Sequence, residues 1–134
     1  MRFEQIRANA DAIKALRNMV DTNKVPHALL MYENDGGGAF ALTLAFLQYL
    51  YCRDKHEGHA CGECPTCHKI EKLIHPDVHF VFPTNSGSKS GKTAAQDITS
   101  DMYMKEFKAL AKENPYFLES DLSAAIGIEA KVGT

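Results

Sequence analysis

The sequence predicts an α/β fold built around a parallel sheet. Residues 28–32 form a short, continuously apolar run, which is typical of a strand buried on both faces. Three glycines follow at 36–38, and the next segment, 39–51, is apolar nearly all round and too long for an ordinary strand. A strand, a glycine turn and a buried helix in this order are the start of a parallel sheet with flanking helices.

The elements around this unit follow from local patterns. An amphipathic helix is predicted near residues 9–22, because Ile13, Leu16 and Val20 recur at helical spacing, and Asn23 and Pro26 end it. After a cysteine-rich segment at 52–67, the sequence predicts a helix through Ile70 and Leu73 and a second strand at 78–82.

The last third of the chain has weaker patterns. Residues 84–98 are rich in Ser, Gly, Thr and Lys without an apolar period, which predicts a flexible loop. Tyr103, Phe107 and Leu110 predict another amphipathic helix. Apolar residues then alternate with Gly, Glu and Lys, which suggests a strand or an extended tail that includes Ile126, Ile128, Ala130 and Val132.

Composition limits the functional class. The 134 residues suit one domain, 45% are hydrophobic, and the net charge of −2 gives no strong attraction to nucleic acid or to an acidic membrane. No apolar run approaches the roughly 18–20 residues of a membrane span, and the charged, amphipathic N-terminus is unlike a secretory signal. We therefore expect a cytoplasmic protein without a membrane partner, whose cysteines are metal ligands or free thiols.

The four cysteines predict a structural zinc site. Cys52, Cys61, Cys64 and Cys67 have the spacing C-x8-C-x2-C-x2-C, which lets four thiolates converge on one ion. The alternatives are a redox C-x-x-C pair, unligated thiols or an iron site, and a nearby histidine can replace one ligand (His56, His59 or His68).

Two glycine-rich segments raise the question of a nucleotide. Aligned with the phosphate-loop pattern G-x-x-x-x-G-K-[ST], residues 33–40 keep the turn but place Glu33, Ala39 and Phe40 at the first glycine, the lysine and the hydroxyl positions. The degenerate loop positions are thus Glu33, Gly36, Gly37, Gly38, Ala39 and Phe40, with no catalytic residue and no ATP expected. The segment S-G-S-K-S-G-K-T at 86–93 has the lysine but the wrong glycine spacing, and we expect a solvated loop.

Several motifs occur together in a characteristic order. P-H-A-L-L at 26–30 precedes the glycine turn, the buried helix ends at Cys52, and C-G-E-C-P-T-C at 61–67 precedes H-P-D at 75–77. Over roughly residues 4–83 the chain resembles the N-terminal part of bacterial DNA polymerase III clamp-loader subunits. Within that family gamma/tau subunits carry an intact phosphate loop and delta-prime subunits often a damaged one, so Ala39 and Phe40 indicate the delta-prime type.

The resemblance implies both a fold and a role. The fold is the N-terminal portion of a P-loop NTPase-like (AAA+) domain, at 1–134, with an inserted zinc module at about 52–75. The role is that of a non-catalytic structural subunit of the DNA polymerase III holoenzyme. Its partners are the gamma/tau and delta subunits and, through the assembled ring, the sliding clamp and primed DNA. An active gamma/tau-type ATPase and a nucleic-acid-binding zinc module are the alternatives.

Overall fold

A computed structural model describes residues 1–84 and 99–127, and the regular elements in these ranges are helices. The α-helices are α1 (Ala10–Asp21), α2 (Ala39–Tyr51), α3 (Pro65–Glu71), α4 (Met104–Glu113) and α5 (Glu119–Ala125), with 3-10 turns at Phe3–Gln5 and Ser100–Tyr103. The chain divides into two compact units between Val78 and His79. In the described ranges no helix is long and apolar enough to cross a membrane.

The first unit is organised around α2. The apolar helix packs against α1, α3 and the 3-10 turn Phe3–Gln5, so it is covered on several sides, as a helix apolar all round requires. Side chains from all of these elements form one core: Phe3, Leu16, Leu42, Ala45, Phe46, Tyr49, Cys52, Ala60 and Cys67. The core therefore extends from α1 into the cysteine-rich segment.

The predicted helices of the first unit are confirmed. The helix expected at 9–22 is α1, and left-handed backbone at Asn23 (φ 53°) follows its end. The helix expected at 39–51 is α2, which begins after Gly38 in a left-handed conformation that favours glycine (φ 85°). The helix expected through Ile70 and Leu73 is α3, which contains Ile70 but ends at Glu71, so the prediction is wrong for Leu73, whose backbone is left-handed (φ 57°).

A hydrogen bond joins α2 to the end of α1. The buried hydroxyl of Tyr49 donates to Oδ1 of Asp21. Burial and this hydrogen bond together raise the pKa of Tyr49 to about 12. The bond therefore links the two helices that carry most of the first unit's core.

We expect Tyr49→Phe to lower the free energy of unfolding by about 1–2 kcal/mol, since a hydrogen bond to a charged acceptor is lost. Urea denaturation measures the change. Tyr51→Phe is the matched control, because Tyr51 lies on the same helix and uses its ring, 4.6 Å from the His75 ring. Equal stability of the two variants would contradict the role given to the Tyr49 hydroxyl.

The second unit packs around α4. The helix predicted through Tyr103, Phe107 and Leu110 is confirmed, with Tyr103 in the preceding 3-10 turn. Phe107 lies with its ring centroid 4.9 Å from that of Phe82 and 5.1 Å from that of Phe80. An aromatic cluster thus supplies this unit's apolar contacts.

The structure does not contain the predicted sheet in the part of the chain it describes. Residues 28–32 and 78–82 are irregular chain there, so the prediction of two strands is wrong for these segments. Leu30, Tyr32 and Val81 are 85%, 89% and 88% exposed. An apolar run becomes a strand only where neighbouring strands satisfy its N–H and C=O groups. The described residues supply no such neighbours to either segment.

The expected C-terminal strand is wrong where the structure describes it. Ile126 is buried at the end of α5, a helix that the sequence analysis missed. The N–H of Leu118 donates to Oδ2 of Asp121 at 2.9 Å, a capping contact that begins α5. The remaining residues of the expected tail lie outside the described residues, as does the expected loop at 84–98 apart from Thr84.

Candidate functional site

The four predicted metal ligands lie together. Cys52 follows the last residue of α2, Cys61 lies in the connecting loop, Cys64 caps α3 and Cys67 lies within it. All four Sγ atoms are within 4.8 Å of one another. All four thiols are free. The structure thus brings together the sulfur atoms of all four cysteines in the C-x8-C-x2-C-x2-C motif.

The spacing of the sulfurs fits a tetrahedral metal ion. A zinc–sulfur distance of about 2.3 Å places tetrahedral thiolates about 3.8 Å apart. The Sγ of Cys61 lies 3.5 Å from that of Cys52 and 3.8 Å from that of Cys67. The four cysteines lie close enough together to hold a metal such as zinc.

Backbone N–H groups point at the sulfurs. The N–H of Cys61 donates to Sγ of Cys52 at 3.3 Å, that of Cys64 to Sγ of Cys61 at 3.3 Å, and that of Cys67 to Sγ of Cys64 at 3.4 Å. Such donors stabilise thiolates, the form that binds metal. The loop is consequently folded to support negative charge on sulfur.

Two of the thiols differ in acidity. Burial acts to raise the pKa of Cys64, but backbone donors from Arg53 and Cys67 outweigh it and lower that pKa to about 6. Burial raises the pKa of Cys67 to about 12. A metal ion that binds here must displace protons from thiols, so binding releases protons.

The histidines do not join the cluster. In the described part of the chain, the group of His, Cys, Asp and Glu residues suited to a metal contains the four cysteines alone. Nδ1 of His59 lies 3.0 Å from Oε2 of Glu4, and Nε2 of His56 lies 3.1 Å from Oδ1 of Asp54. The alternative of a histidine ligand is therefore not supported by the geometry.

The glycine turn holds a carboxylate of the chain itself. Oε2 of Glu33 accepts a hydrogen bond from the N–H of Ala39, the first residue of α2, at 2.5 Å. A Cβ at Gly37 would lie 2.8 Å from the same oxygen, so the turn closes tightly over the side chain. In a phosphate loop the helix N-terminus faces the phosphates. Here Glu33 takes that place.

A cavity of about 440 Å³ opens beside this turn. Leu16 of α1, Leu30 and Met31 contribute apolar side chains to its lining, and Glu33 and Ala39 line it as well. No lysine or arginine lines it among the residues that the structure describes. The described lining thus offers a phosphate group no guanidinium or ammonium donor.

Glu33→Ala should lower the free energy of unfolding by about 1 kcal/mol, because α2 loses a side-chain acceptor at its N-terminus. Thermal denaturation gives the difference. Asp35→Ala is the matched control, since Asp35 lies in the same turn and makes no hydrogen bond or ion pair within 1–84 and 99–127. If the free energy of unfolding falls equally in both variants, the effect comes from the removed negative charge and not from capping of α2.

The contacts of two residues in this region were not found from the sequence. The sequence places Glu33 at the first glycine position of a degenerate phosphate loop, and its contact with the start of α2 depends on the fold of the turn. Gln48 was read as part of an apolar helix although it is completely buried. A single amide in such a helix was the signal available. The segment at 86–93 lies outside the described residues.

Comparison with known proteins gives consistent matches. The family model described as DNA polymerase III, delta subunit matches residues 8–119. DNA polymerase III subunit delta' of Yersinia pestis is 29% identical over 82 residues, which are 61% of this chain and 24% of that protein. The Escherichia coli K12 protein of the same name is 30% identical over 76 residues (57% and 23%), and that of Bacillus subtilis 31% over 85 residues (62% and 25%).

The chain spans about a quarter of the length of these curated relatives. No solved structure is significantly similar to it.

Proposed function

The chain belongs to the DNA polymerase III delta subunit family, and we propose that it is a non-catalytic, delta-prime-type structural subunit of the replicative clamp loader. It would help to assemble the ring that loads the sliding clamp on primed DNA. The names of the relatives support the delta-prime assignment. By itself the chain would not be an enzyme, although it would be a component of the polymerase III holoenzyme in the cytoplasm.

The observation that carries the non-catalytic role is the position of the Glu33 carboxylate. It accepts the N–H of Ala39 at the start of α2, where an active subunit would bind phosphate oxygens. Ala39 and Phe40 replace the lysine and hydroxyl that would meet the phosphates and magnesium. The turn would therefore keep the geometry of a phosphate loop and serve to position α2.

The fold proposed for the complete domain is of the AAA+ type, with residues 1–134 as an N-terminal portion. The glycine turn leading into a buried helix supports this proposal. The exposed apolar side chains of Leu30, Tyr32 and Val81 support it too, since strands of a sheet would cover them.

The metal proposed for the four cysteines is zinc in a structural role. Four thiolates fill all four tetrahedral positions and leave none for a substrate. A redox pair would require two of the sulfurs, whereas all four lie within 4.8 Å of one another. The ion would hold the 52–67 loop and α3 against α2, with Cys52 anchored at the end of that helix.

Assembly tests the proposed role. The purified chain is mixed with gamma/tau and delta subunits of the same organism, and the masses of the complexes are measured by light scattering, with an unrelated AAA+ protein as the control. We expect a complex with the clamp-loader subunits only. ATP hydrolysis by the chain alone would favour the active gamma/tau alternative, and tight binding of the chain alone to DNA would favour a nucleic-acid-binding zinc module.

A further inference from the structure

The cavity beside the glycine turn has the size of a ligand site. It measures about 440 Å³ and lies within the first unit, and small-ligand sites occupy about 300–1,000 Å³. Its lining includes apolar side chains, those of Leu16, Met31 and Leu42, and polar ones, those of Asn9, Glu33 and Asn34. A ligand that fits this lining therefore has an apolar part and a polar part.

The charge in the described lining is negative. Glu33 supplies a carboxylate, and no lysine, arginine or histidine lines the cavity among residues 1–84 and 99–127. Oε2 of Glu33 accepts the N–H of Ala39, whereas Oε1 makes no hydrogen bond or ion pair in those ranges. Because a carboxylate oxygen forms its strongest hydrogen bonds with charged donors, the polar part of a well-matched ligand is a cation.

Hydrogen bonds fix two parts of the cavity lining. Nδ2 of Asn9, just before α1, donates to the carbonyl oxygen of Gly37 in the glycine turn at 3.0 Å. Oγ1 of Thr43 on α2 donates to Sδ of Met31 at 3.1 Å. These parts of the lining are in place before a ligand arrives, which lowers the ordering cost of binding.

We propose that the cavity binds a lysine side chain of another protein chain, with its ammonium group at Oε1 of Glu33 and its alkyl stem against the apolar lining. A lysine buries its stem along apolar surface and keeps its ammonium group hydrated. This division suits the cavity, because Leu16 and Leu42 are buried whereas Glu33 is exposed.

The geometry at Glu33 favours lysine over arginine. A guanidinium binds a carboxylate best through both oxygens, and Oε2 of Glu33 already accepts the N–H of Ala39. The rim favours a side chain that enters from outside, since Ala12 and Ala15 of α1 line the cavity and are exposed. A lysine can therefore enter while the backbone of its own chain stays at the surface.

An NMR titration with capped pentapeptides tests the inference on the whole chain. One peptide has a central lysine, and the other has norleucine there, which keeps the stem without the ammonium group. With the lysine peptide we expect saturable shifts of the Ala39 N–H and of the Leu16 and Leu42 methyl groups. Glu33→Gln should weaken binding of the lysine peptide by about two- to fivefold, as for an exposed ion pair, and leave binding of the norleucine peptide unchanged.

Two matched controls separate the cavity from its surroundings. Asp35→Asn removes a charge from the same turn at a residue that does not line the cavity, and it should leave both affinities unchanged. Ala15→Leu fills the cavity from the exposed side of α1 and should abolish binding of both peptides. Asn18→Leu adds a similar side chain to the same helix outside the cavity and should preserve binding.

The absence of saturable shifts at the cavity overturns the inference. Equal weakening of the lysine peptide by Glu33→Gln and Asp35→Asn also overturns it, because the effect would then be one of general charge. If n-butylammonium binds as tightly as the lysine peptide, the site takes free amines, and the protein partner is overturned.

Discussion

Cys64→Ser is expected to abolish stoichiometric zinc binding and to unfold the segment 52–75. The loop within this segment has little core of its own, because between 53 and 67 the buried side chains are Ala60, Thr66 and Cys67. Metal binding supplies on the order of 10 kcal/mol or more of folding free energy in small zinc modules. The loss of one of four thiolates therefore removes most of what holds the loop against α2.

Elemental analysis of reduced, purified protein measures the metal, and amide hydrogen exchange locates the unfolding. Exchange should rise first in 52–75, while α1 and the N-terminal turns of α2 stay protected by their own core. His68→Ala is the matched control, since His68 is exposed on α3 and lies outside the cysteine cluster. Full zinc retention and unchanged stability in Cys64→Ser would show that the four-thiolate assignment is wrong.

Helices were predictable where residues of the helical segment itself determine where the helix begins and ends. The three glycines at 36–38 and the apolar run after them fix the start of α2, and the spacing of Ile13, Leu16 and Val20 gives α1. Sheet formation was not predictable in this way. The hydrogen bonds of 28–32 must come from other strands, so an apolar pattern alone does not determine whether a ladder forms.

The short helix α5 was missed for a different reason. Ile126 and the alternating residues after it suggested a strand, whereas the contact of Asp121 with the N–H of Leu118 is seen only in the structure. With seven residues, α5 is too short for a periodic apolar face to stand out.

The four cysteine ligands of the candidate site were predictable from the sequence, but the groups around them were not. Cysteine spacing in sequence constrains the positions of the four sulfurs, and the structure brings all four together. The contacts of Gln48 and Glu33 could not be assigned from the sequence, because their partners, Glu71 and the N–H of Ala39, become neighbours only after α3 and the turn have folded.

The second prediction with a large effect concerns nucleotide. The chain is expected to bind ATP with magnesium no more tightly than millimolar. A charge-assisted phosphate contact is typically worth ~1.5–3 kcal/mol, and Ala39 and Phe40 remove two such contacts. The Glu33 carboxylate at the start of α2 adds repulsion and already occupies an N–H donor. Together these changes lower the affinity by several powers of ten.

A variant with the missing phosphate-loop residues restored tests this prediction directly. The variant Glu33→Gly/Ala39→Lys/Phe40→Thr restores the pattern G-x-x-x-x-G-K-T at 33–40 on a turn whose Gly36 and Gly38 already have positive φ. Calorimetric titration should detect nucleotide binding by this variant and none at micromolar ATP by the unaltered chain. Glu33→Gly alone is the control, because it frees the Ala39 N–H without supplying a cation. Micromolar binding by the unaltered chain would contradict the non-catalytic role, and its loss in Lys92→Ala would place the nucleotide at 86–93 instead.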